Sequence, residues 1–326
     1  MAYSSSSDFS ITRDDIIKTA LRIVKALPPD DDPTGLSISV TPAITNAATI
    51  LNMMVKSWQS DDIGVWLNKE LTLFLDTTSD SYTLGTGTTD NLIYTSSLVE
   101  TALGADMDET DTDLTVDSIT GISDSDIIGI QLDDGTMQWS TVNGTPSGTT
   151  VVIDDALDDD AAEDNKVFVY TTETIPRPLD IIEARHRDIN GNDIELFLAG
   201  HLDYARFNDK GSTGTPHSIF YDKQIADGVL YVYPISDSSL SRIVMTVKTL
   251  VYDFNASTDT AHFPIEWSNA LKWGLAAELI ADYGHNLDSG RIQYIMAMAQ
   301  RYLASAKGGD AGSGTVRIVP DLRRMR

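Results

Sequence analysis

The sequence predicts an α+β protein: a helical bundle built from both chain ends, an antiparallel β-sheet middle, an inserted small β-barrel and an extended C-terminal tail. Three observations support this fold class. Apolar residues recur at helical spacing near both ends, they alternate with a period of two in the middle, and one central block holds most of the acidic residues. Helices from the two ends around strands from the middle indicate an α+β order rather than alternating βαβ units.

The 326 residues exceed what one small core needs, and a hydrophobic content of 41% is enough to bury several. We therefore predict five parts. They are a helical body with the first strands (1–89), an acidic β-barrel-like insert (90–169), a β-rich platform (170–263), the C-terminal helices of the body (264–309) and a flexible tail (310–326).

Two helices are predicted near the N-terminus. Thr12 precedes an apolar stripe and stands three residues before Asp15, which resembles a capping box. Pro28-Pro29 is expected to end this helix. Thr41-Pro42 provides a cap and a first-turn proline for the second helix, whose apolar stripe reaches Trp58.

After the second predicted helix, the spacing of apolar residues changes to a period of two. Leu71, Leu73 and Leu75 alternate with other residues and predict a strand. Further on, segments 181–188 and 193–198 flank Asn190-Gly191, which predicts a type I′ hairpin turn because Asn and Gly tolerate positive φ. Ser218–Tyr221, Val229–Tyr233 and Ile243–Tyr252 are predicted as strands of the platform.

The predicted insert has its own pattern of short strands and turns. Strands are expected at Asp113–Val116, Ile127–Leu132 and Thr149–Ile153, with Gly-containing turns about every ten residues. This spacing is typical of a small barrel or sandwich.

Two helices are predicted again toward the C-terminus. One begins at Pro264 and ends at Gly284, and the other begins at Asp288 or Ser289. An apolar stripe runs along the last helix, which Gly308-Gly309 is expected to close. Its members are Ile292, Ile295, Met296, Ala299, Leu303 and Ala306.

Motifs that carry chemistry are missing from the sequence. There is no cysteine, no two of the five histidines stand at metal-ligand spacing, and neither a phosphate-binding loop nor a nucleophile elbow is present. The acidic run from Asp106 lacks the glycine and glutamate that a calcium-binding EF-hand loop needs, because Asp111 and Asp117 occupy those positions. We predict no catalytic, cofactor-binding or metal-binding residues, and no enzyme.

Charge limits the partners further. The formal net charge is −26, and the stretch from Asp90 to Glu173 holds 20 acidic residues and a single basic one, Lys166, for a net −19. Such a surface repels nucleic acid and anionic membranes. The N-terminus has neither the basic nor the apolar region of a signal peptide.

Two stretches resemble a known family. The first runs from Ile11 to Leu84 and includes SWQSDDIGVW and SYTLG; the second contains GTPHSIFYDKQIADGVLYVYPISDSSLSRIVMTVKTLVYDF and FPIEWSNALKWGLAAELIADYG. Together they resemble the head-to-tail adaptors of short-tailed bacteriophages, also called head-completion or DNA-stabilisation proteins. The similarity leaves out the acidic block, although TDLTVDSITGISDSDIIGIQLDDGT in that block looks like a small β-barrel inserted in some longer adaptors.

The resemblance implies a ring, usually of twelve subunits, seated beneath the portal protein ring. Such a ring extends the DNA channel and presents a platform to a downstream tail or nozzle protein. Double-stranded DNA would pass through it without specific binding, and no membrane is involved. The protein would be made in the host cytoplasm and located in the virion, at the head–tail junction.

The resemblance also gives the C-terminal tail a role, because in this family the tail packs into clefts of the portal. Glycines from Gly308 to Gly314 would supply a hinge. The residues predicted to dock on the portal are Val316, Arg317, Ile318, Val319, Pro320, Leu322, Arg323, Arg324 and Arg326. The alternative is a frayed terminus without a partner.

Two other functions stay open from the sequence. Paired carboxylates could serve a tail-associated peptidoglycan hydrolase, because many acids are available. The acidic insert could instead be the head of a receptor- or glycan-binding β-module.

Overall fold

The structure is a computed structural model, and it describes residues 10–27, 42–60, 65–85 and 91–310. The helices of this part are α1 (Arg13–Ile23), α2 (Pro42–Ser60), α3 (His201–Ala205), α4 (Ser268–Glu278), α5 (Ile280–Tyr283) and α6 (Ser289–Asp310). The chain divides into two units, residues 1–67 with 251–326, and residues 68–250.

Fifteen strands are present among the described residues, all in the second unit. They are β1 (Asn68–Phe74), β2 (Ser81–Leu84), β3 (Leu92–Tyr94), β4 (Val99–Ala102), β5 (Asp113–Thr115), β6 (Ile127–Gln131), β7 (Met137–Thr141), β8 (Thr150–Val152), β9 (Lys166–Tyr170), β10 (Asp180–Arg187), β11 (Asp193–Glu195), β12 (Phe197–Leu198), β13 (Ser218–Asp222), β14 (Gly228–Tyr233) and β15 (Arg242–Lys248). The predicted α+β class with antiparallel sheets is confirmed.

The first unit is helical, and its first helix begins as the sequence predicts. The backbone N–H of Asp15 donates to Thr12 Oγ1 at 3.3 Å, and the Thr12 N–H donates to Asp15 Oδ2 at 3.2 Å, which completes the capping box. The helix ends at Ile23, and Lys25 takes a positive φ of 57° just after it. The predicted Pro28-Pro29 stop lies outside the described residues.

Helices from both chain ends share one apolar core in this unit. Ile16 of α1, Leu51 of α2 and Leu275 of α4 are fully buried in it. Trp267 lies in the same core, with its ring centroid 5.2 Å from Trp66. Edge-on aromatic contacts of this kind add to the stabilisation that burial gives.

The last helix is less buried than its predicted stripe implies. Only Ile295 and Ala306 of α6 are buried in the core among its described side chains, and Met296 is exposed. The helix continues through Gly308 and Gly309 to Asp310. These glycines therefore belong to the helix and not to the predicted hinge, since glycine weakens a helix without forbidding it.

The second unit is built around two stacked sheets. Sheet I has the order β11-β10-β15-β1-β3 and is antiparallel throughout, whereas sheet II has the order β12-β13-β14-β2 with one parallel pair, β12 and β13. Leu71 and Leu73 of sheet I share a core with Leu230 and Val232 of sheet II. Each sheet thereby covers the apolar face of the other.

The strand β1 is buried on both faces. Leu71 and Leu73 face the core with sheet II, while Thr72 and Phe74, which alternate with them, are also buried. The ring of Phe74 lies 4.8 Å from that of Trp139 and 5.4 Å from that of Phe168. Aromatic residues of the acidic block thus cover the second face of sheet I.

The acidic block consists of short antiparallel strands, and their closure into the predicted small β-barrel stays a prediction. Its strands make a four-stranded sheet, β4-β9-β6-β7, and a separate pair, β5-β8. The two sheets meet at both edges, at the bridges Leu103 to Val116 and Val142 to Ile153. Backbone hydrogen bonds flank these bridges: the Asp117 N–H donates to the Ala102 carbonyl at 2.9 Å, and the Asp154 N–H donates to the Thr141 carbonyl at 2.9 Å. The contacts with the four-stranded sheet are short, since β5 and β8 have only three residues each.

The start of the block also differs from the predicted boundary at residue 90. The strand β3 lies inside the predicted insert but pairs with β1, so that Leu92 opposes Leu73 in sheet I. The strands that belong to the block alone therefore begin with β4 at Val99.

The predicted type I′ turn at Asn190-Gly191 is wrong. Gly191 has the expected positive φ of 85°, but Asn190 does not. The Asp188 N–H donates to the Asn192 carbonyl at 3.1 Å, and the Gly191 N–H donates to the Asp188 carbonyl at 3.1 Å. These bonds define a three-residue loop in which a type I turn is followed by a left-handed glycine.

We expect Phe74→Ala to lower the free energy of unfolding by about 3–5 kcal/mol, because it removes the ring that the acidic block covers. Phe74→Leu should cost less, since it retains most of the apolar volume. Urea unfolding followed by Trp fluorescence measures both. Ile225→Ala is the control, because Ile225 is 98% exposed. Equal small losses for both Phe74 variants would contradict the buried interface.

Candidate interaction surface

The predicted docking residues from Val316 to Arg326 lie outside the described residues. Their role in portal binding therefore stays a prediction. The remaining candidate surfaces come from the described part of the chain.

Carboxylates in the acidic loops of the block accept hydrogen bonds from the block's own backbone N–H groups. The Asp111 carboxylate accepts a hydrogen bond from the Asp108 N–H at 3.0 Å, and the Asp106 carboxylate accepts one from the Glu163 N–H at 2.8 Å. No group of three or more His, Asp or Glu residues that could hold a metal ion occurs in the described ranges. These carboxylates act as turn caps.

The chain passes from sheet I to sheet II at one edge of the second unit. The Leu196 N–H donates to the Ala184 carbonyl of β10 at 2.9 Å, whereas the next N–H, that of Phe197, donates to the His217 carbonyl at 3.0 Å. The strand predicted at 193–198 is therefore two strands, β11 and β12, in different sheets. Each is the outermost strand of its sheet in the described structure.

A groove of about 410 Å³ opens where the two sheets separate. We call it the sheet-edge groove. Its lining consists of Ile182, Glu183, Ala184, Glu195, Leu196, Phe197 and Leu198.

Large apolar side chains around this groove are exposed. The pairing of β10 with β15 shifts between Ile181 and Glu183, and the residue in between, Ile182, is 48% exposed. Phe197 is 60% exposed and Leu198 is also exposed, and Ile194 on β11, outside the lining, is 54% exposed. Large exposed apolar side chains at one sheet edge make this edge a candidate interaction surface.

The arginines near the groove already have acidic partners. Arg187 donates twice to Asp193 at 2.7 Å, and Arg185 pairs with Asp193 at 3.0 Å and also with Glu70. The hydrogen bond from Arg187 holds the pKa of Asp193 below its usual range. Because these cations are paired, Glu195 gives the rim of the groove an acidic character.

A cluster of aromatic rings covers the outer face of sheet II next to this edge. Phe207 stacks on Tyr233 with centroids 4.2 Å apart, and Tyr204 stacks on Phe220 at 5.4 Å. Tyr204 belongs to the short helix α3, which starts without a side-chain cap. The rings therefore fix α3, and with it the exposed Leu202, beside β12.

A buried arginine joins the acidic block to sheet I. Arg242 of β15 is 3% exposed; its Nη2 donates to Glu100 Oε1 at 2.9 Å, and its guanidinium lies 4.5 Å above the Phe168 ring centroid. Burial lowers the pKa of Arg242. Its Nε and Nη1 have no hydrogen-bond partner among the described residues.

Comparisons with known proteins add little. No family model and no curated protein matches the chain. Among solved structures, it is similar to VP17, a capsid protein of bacteriophage P23-77, at 10% identity over 59% of this chain and 77% of that chain, with a TM-score of 0.12. A TM-score this low does not establish a shared fold, and we infer neither fold nor function from it.

None of the described helices is long and apolar enough to cross a membrane.

We expect Glu100→Gln to destabilise the protein by about 1–3 kcal/mol, because it weakens the charged hydrogen-bond partner of a buried guanidinium. Arg242→Met should cost less than Glu100→Gln, since no buried charge is left without its partner. Thermal unfolding at constant ionic strength compares the two variants. A larger loss in Arg242→Met would show that the cation itself stabilises the junction.

The buried His186 should make stability depend on pH. It is 4% exposed, neither ring nitrogen has a hydrogen-bond partner in the described structure, and burial lowers its pKa below 6.5. Asp188, Asp237 and Asp193 oppose that shift. Below about pH 6.5 the unfolded state then binds more protons than the native state, so the free energy of unfolding decreases as the pH is lowered.

We expect His186→Leu to flatten the loss of unfolding free energy between about pH 7 and pH 5, the range in which an unfolded histidine titrates. Urea unfolding at several pH values measures the slope. Asp188 and Asp193 have lowered pKa values, so their contributions are lost only at lower pH. An unchanged slope would show that His186 is protonated in the native state.

Proposed function

We propose that the chain is a structural virion protein of a short-tailed bacteriophage. In this proposal it forms a ring that joins the portal to the tail and extends the DNA channel, and it is not an enzyme. Support comes from the resemblance of Ile11–Leu84 and of the segments from Gly214 to Gly284 to head-to-tail adaptors. The open sheet edge supplies a surface for contacts with partners.

The observation that carries the proposal is the exposed apolar edge of β11 and β12. A protein that works alone has no need for Ile194, Phe197 and Leu198 on its surface. A ring closes through heterologous contacts, in which one surface of a subunit meets a different surface of the next. The sheet-edge groove is suited to be one of these two surfaces, and twelve copies is the number usual for the family.

The charge of the chain fits a channel through which DNA moves. A net −26 opposes the binding of phosphates, and 20 acidic residues between Asp90 and Glu173 strengthen that effect locally. Double-stranded DNA would then pass without being held. The other partners in this proposal are the portal ring and a downstream tail or nozzle protein, and the place is the head–tail junction of the virion.

The C-terminal tail would attach the ring to the portal. Val316, Ile318, Val319 and Leu322 provide apolar contact, and four arginines provide charge-assisted hydrogen bonds to acidic groups. The contribution of one tail is modest, because ordering costs about 1–2 kcal/mol per residue. Repetition around the ring makes the sum large.

We expect truncation after Gly314 to leave the body folded and to weaken portal binding strongly. Replacing Arg317, Arg323, Arg324 and Arg326 with serine should weaken binding less and reduce its dependence on salt, because the apolar contacts remain. Co-sedimentation with purified portal rings measures both. Unchanged binding of the truncated protein would leave the tail as a frayed terminus.

Electron microscopy of the protein with its portal tests the ring itself. A ring beneath the portal is expected. Clear lysis of peptidoglycan in a zymogram would favour the hydrolase instead, and specific glycan binding would favour the β-module.

A further inference from the structure

We propose that the sheet-edge groove binds residues 315–319 of a second copy of this chain, which add as a strand along β11 when no portal is present. This inference goes beyond the proposed function, because it assigns the tail a partner within the free protein. It rests on the geometry of the groove, on the chemistry of the segment and on charge.

The groove offers an unpaired strand edge beside apolar surface. No strand follows β11 on its outer side in the described part of sheet I. An open edge presents backbone N–H and C=O groups that an extended segment can pair with. Exposed Ile182, Phe197 and Leu198 beside that edge supply contacts for alternate side chains.

The segment Thr315-Val316-Arg317-Ile318-Val319 has the composition of a strand. Four of its five residues are β-branched, and such residues favour extended backbone. Val316 and Ile318 would lie on one side of such a strand and Arg317 on the other. Pro320 follows directly and would end the pairing, because it has no N–H to donate.

The net positive charge of this end of the chain favours it as the segment that binds the groove. The last 16 residues, 311–326, contain four arginines and one aspartate, whereas the whole chain carries −26. Glu183 and Glu195 line the groove, and Arg185 and Arg187 beside it are already paired. In the proposed strand, Arg317 would meet a carboxylate at the rim.

The contact is heterologous, since a tail on one copy meets a groove on the next. A pair keeps a free groove on one copy and a free tail on the other, so the contact extends to a ring or a filament rather than stopping at a pair. Residues 311–314 allow the segment to stand up to about 14 Å from the end of α6.

Engineered cysteines test the contact, because the chain has none of its own. One full-length protein carries Thr315→Cys or Gly314→Cys, which cover both sides of an extended segment, and a second carries Ile194→Cys on β11. The two are mixed without portal and oxidised mildly with oxidised glutathione. The control replaces Ile194→Cys with Ile225→Cys, at a site that is more exposed and lies in the turn between β13 and β14 rather than on β11.

We expect at least one of the tail cysteines to give about tenfold more mixed disulfide with Ile194→Cys than with Ile225→Cys, the ratio that about 1.4 kcal/mol of contact free energy produces. Arg317→Ser in the tail and Glu195→Gln in the groove should each lower the yield at low salt. Equal yields of mixed disulfide at the two sites would overturn the proposal. A yield that neither charge variant changes would overturn it as well.

A third protein carries Thr315→Cys and Ile194→Cys in one chain. If dilution leaves its disulfide within single chains while mixed products vanish, the occupant is the chain's own tail and the assignment to a second copy is wrong. Portal binding of the Ile194→Cys variant is measured separately. Its retention together with failed crosslinking would refute the groove contact and leave the adaptor proposal standing.

Discussion

The burial of β1 on both faces is the constraint on which the second unit depends. Leu71 and Leu73 require sheet II on one side, and Phe74 requires the aromatic residues of the acidic block on the other. The block is therefore a layer of the fold rather than an appendage, although its charge differs from that of the rest of the chain. Arg242 crosses the same junction, because a buried guanidinium needs both the carboxylate of Glu100 and a ring to lie against.

Local signals in the sequence predicted the elements that depend on neighbouring residues. The capping box of α1 needs only residues three apart, and the start of α2 needs only a proline in its first turn. The other features of the fold depend on contacts between residues that are distant in sequence. The period of two at Leu71 predicted a strand but not what covers Phe74. Turn spacing predicted short strands but not that β3 would join sheet I by pairing with β1. The loop at Gly191 is a smaller example. The dipeptide Asn190-Gly191 predicted two residues with positive φ, but only Gly191 has one.

The sheet-edge groove could not be predicted from the sequence, for a physical reason. A single strand over 193–198 would place Ile194, Leu196 and Leu198 on one buried face. Only Leu196 is buried, because the chain changes sheets there and its neighbours lose their cover. The predicted docking residues of the tail carry a local signal, apolar and basic residues behind a glycine-rich spacer, but the sequence does not contain the surface that receives them.

Charge determines which contacts between copies can hold. A chain with a net charge of −26 tends to repel its copy, and salt shortens the range of that repulsion to about 8 Å at physiological ionic strength. Attraction must then come from apolar surface or from cations that are not yet paired. Arg185 and Arg187 already bind acids within their own sheet, and Arg242 binds Glu100. The arginines between Arg317 and Arg326 stand in a segment with apolar residues, so the tail combines both sources of attraction. The same physics therefore applies whether the tail meets a portal or the edge of β11.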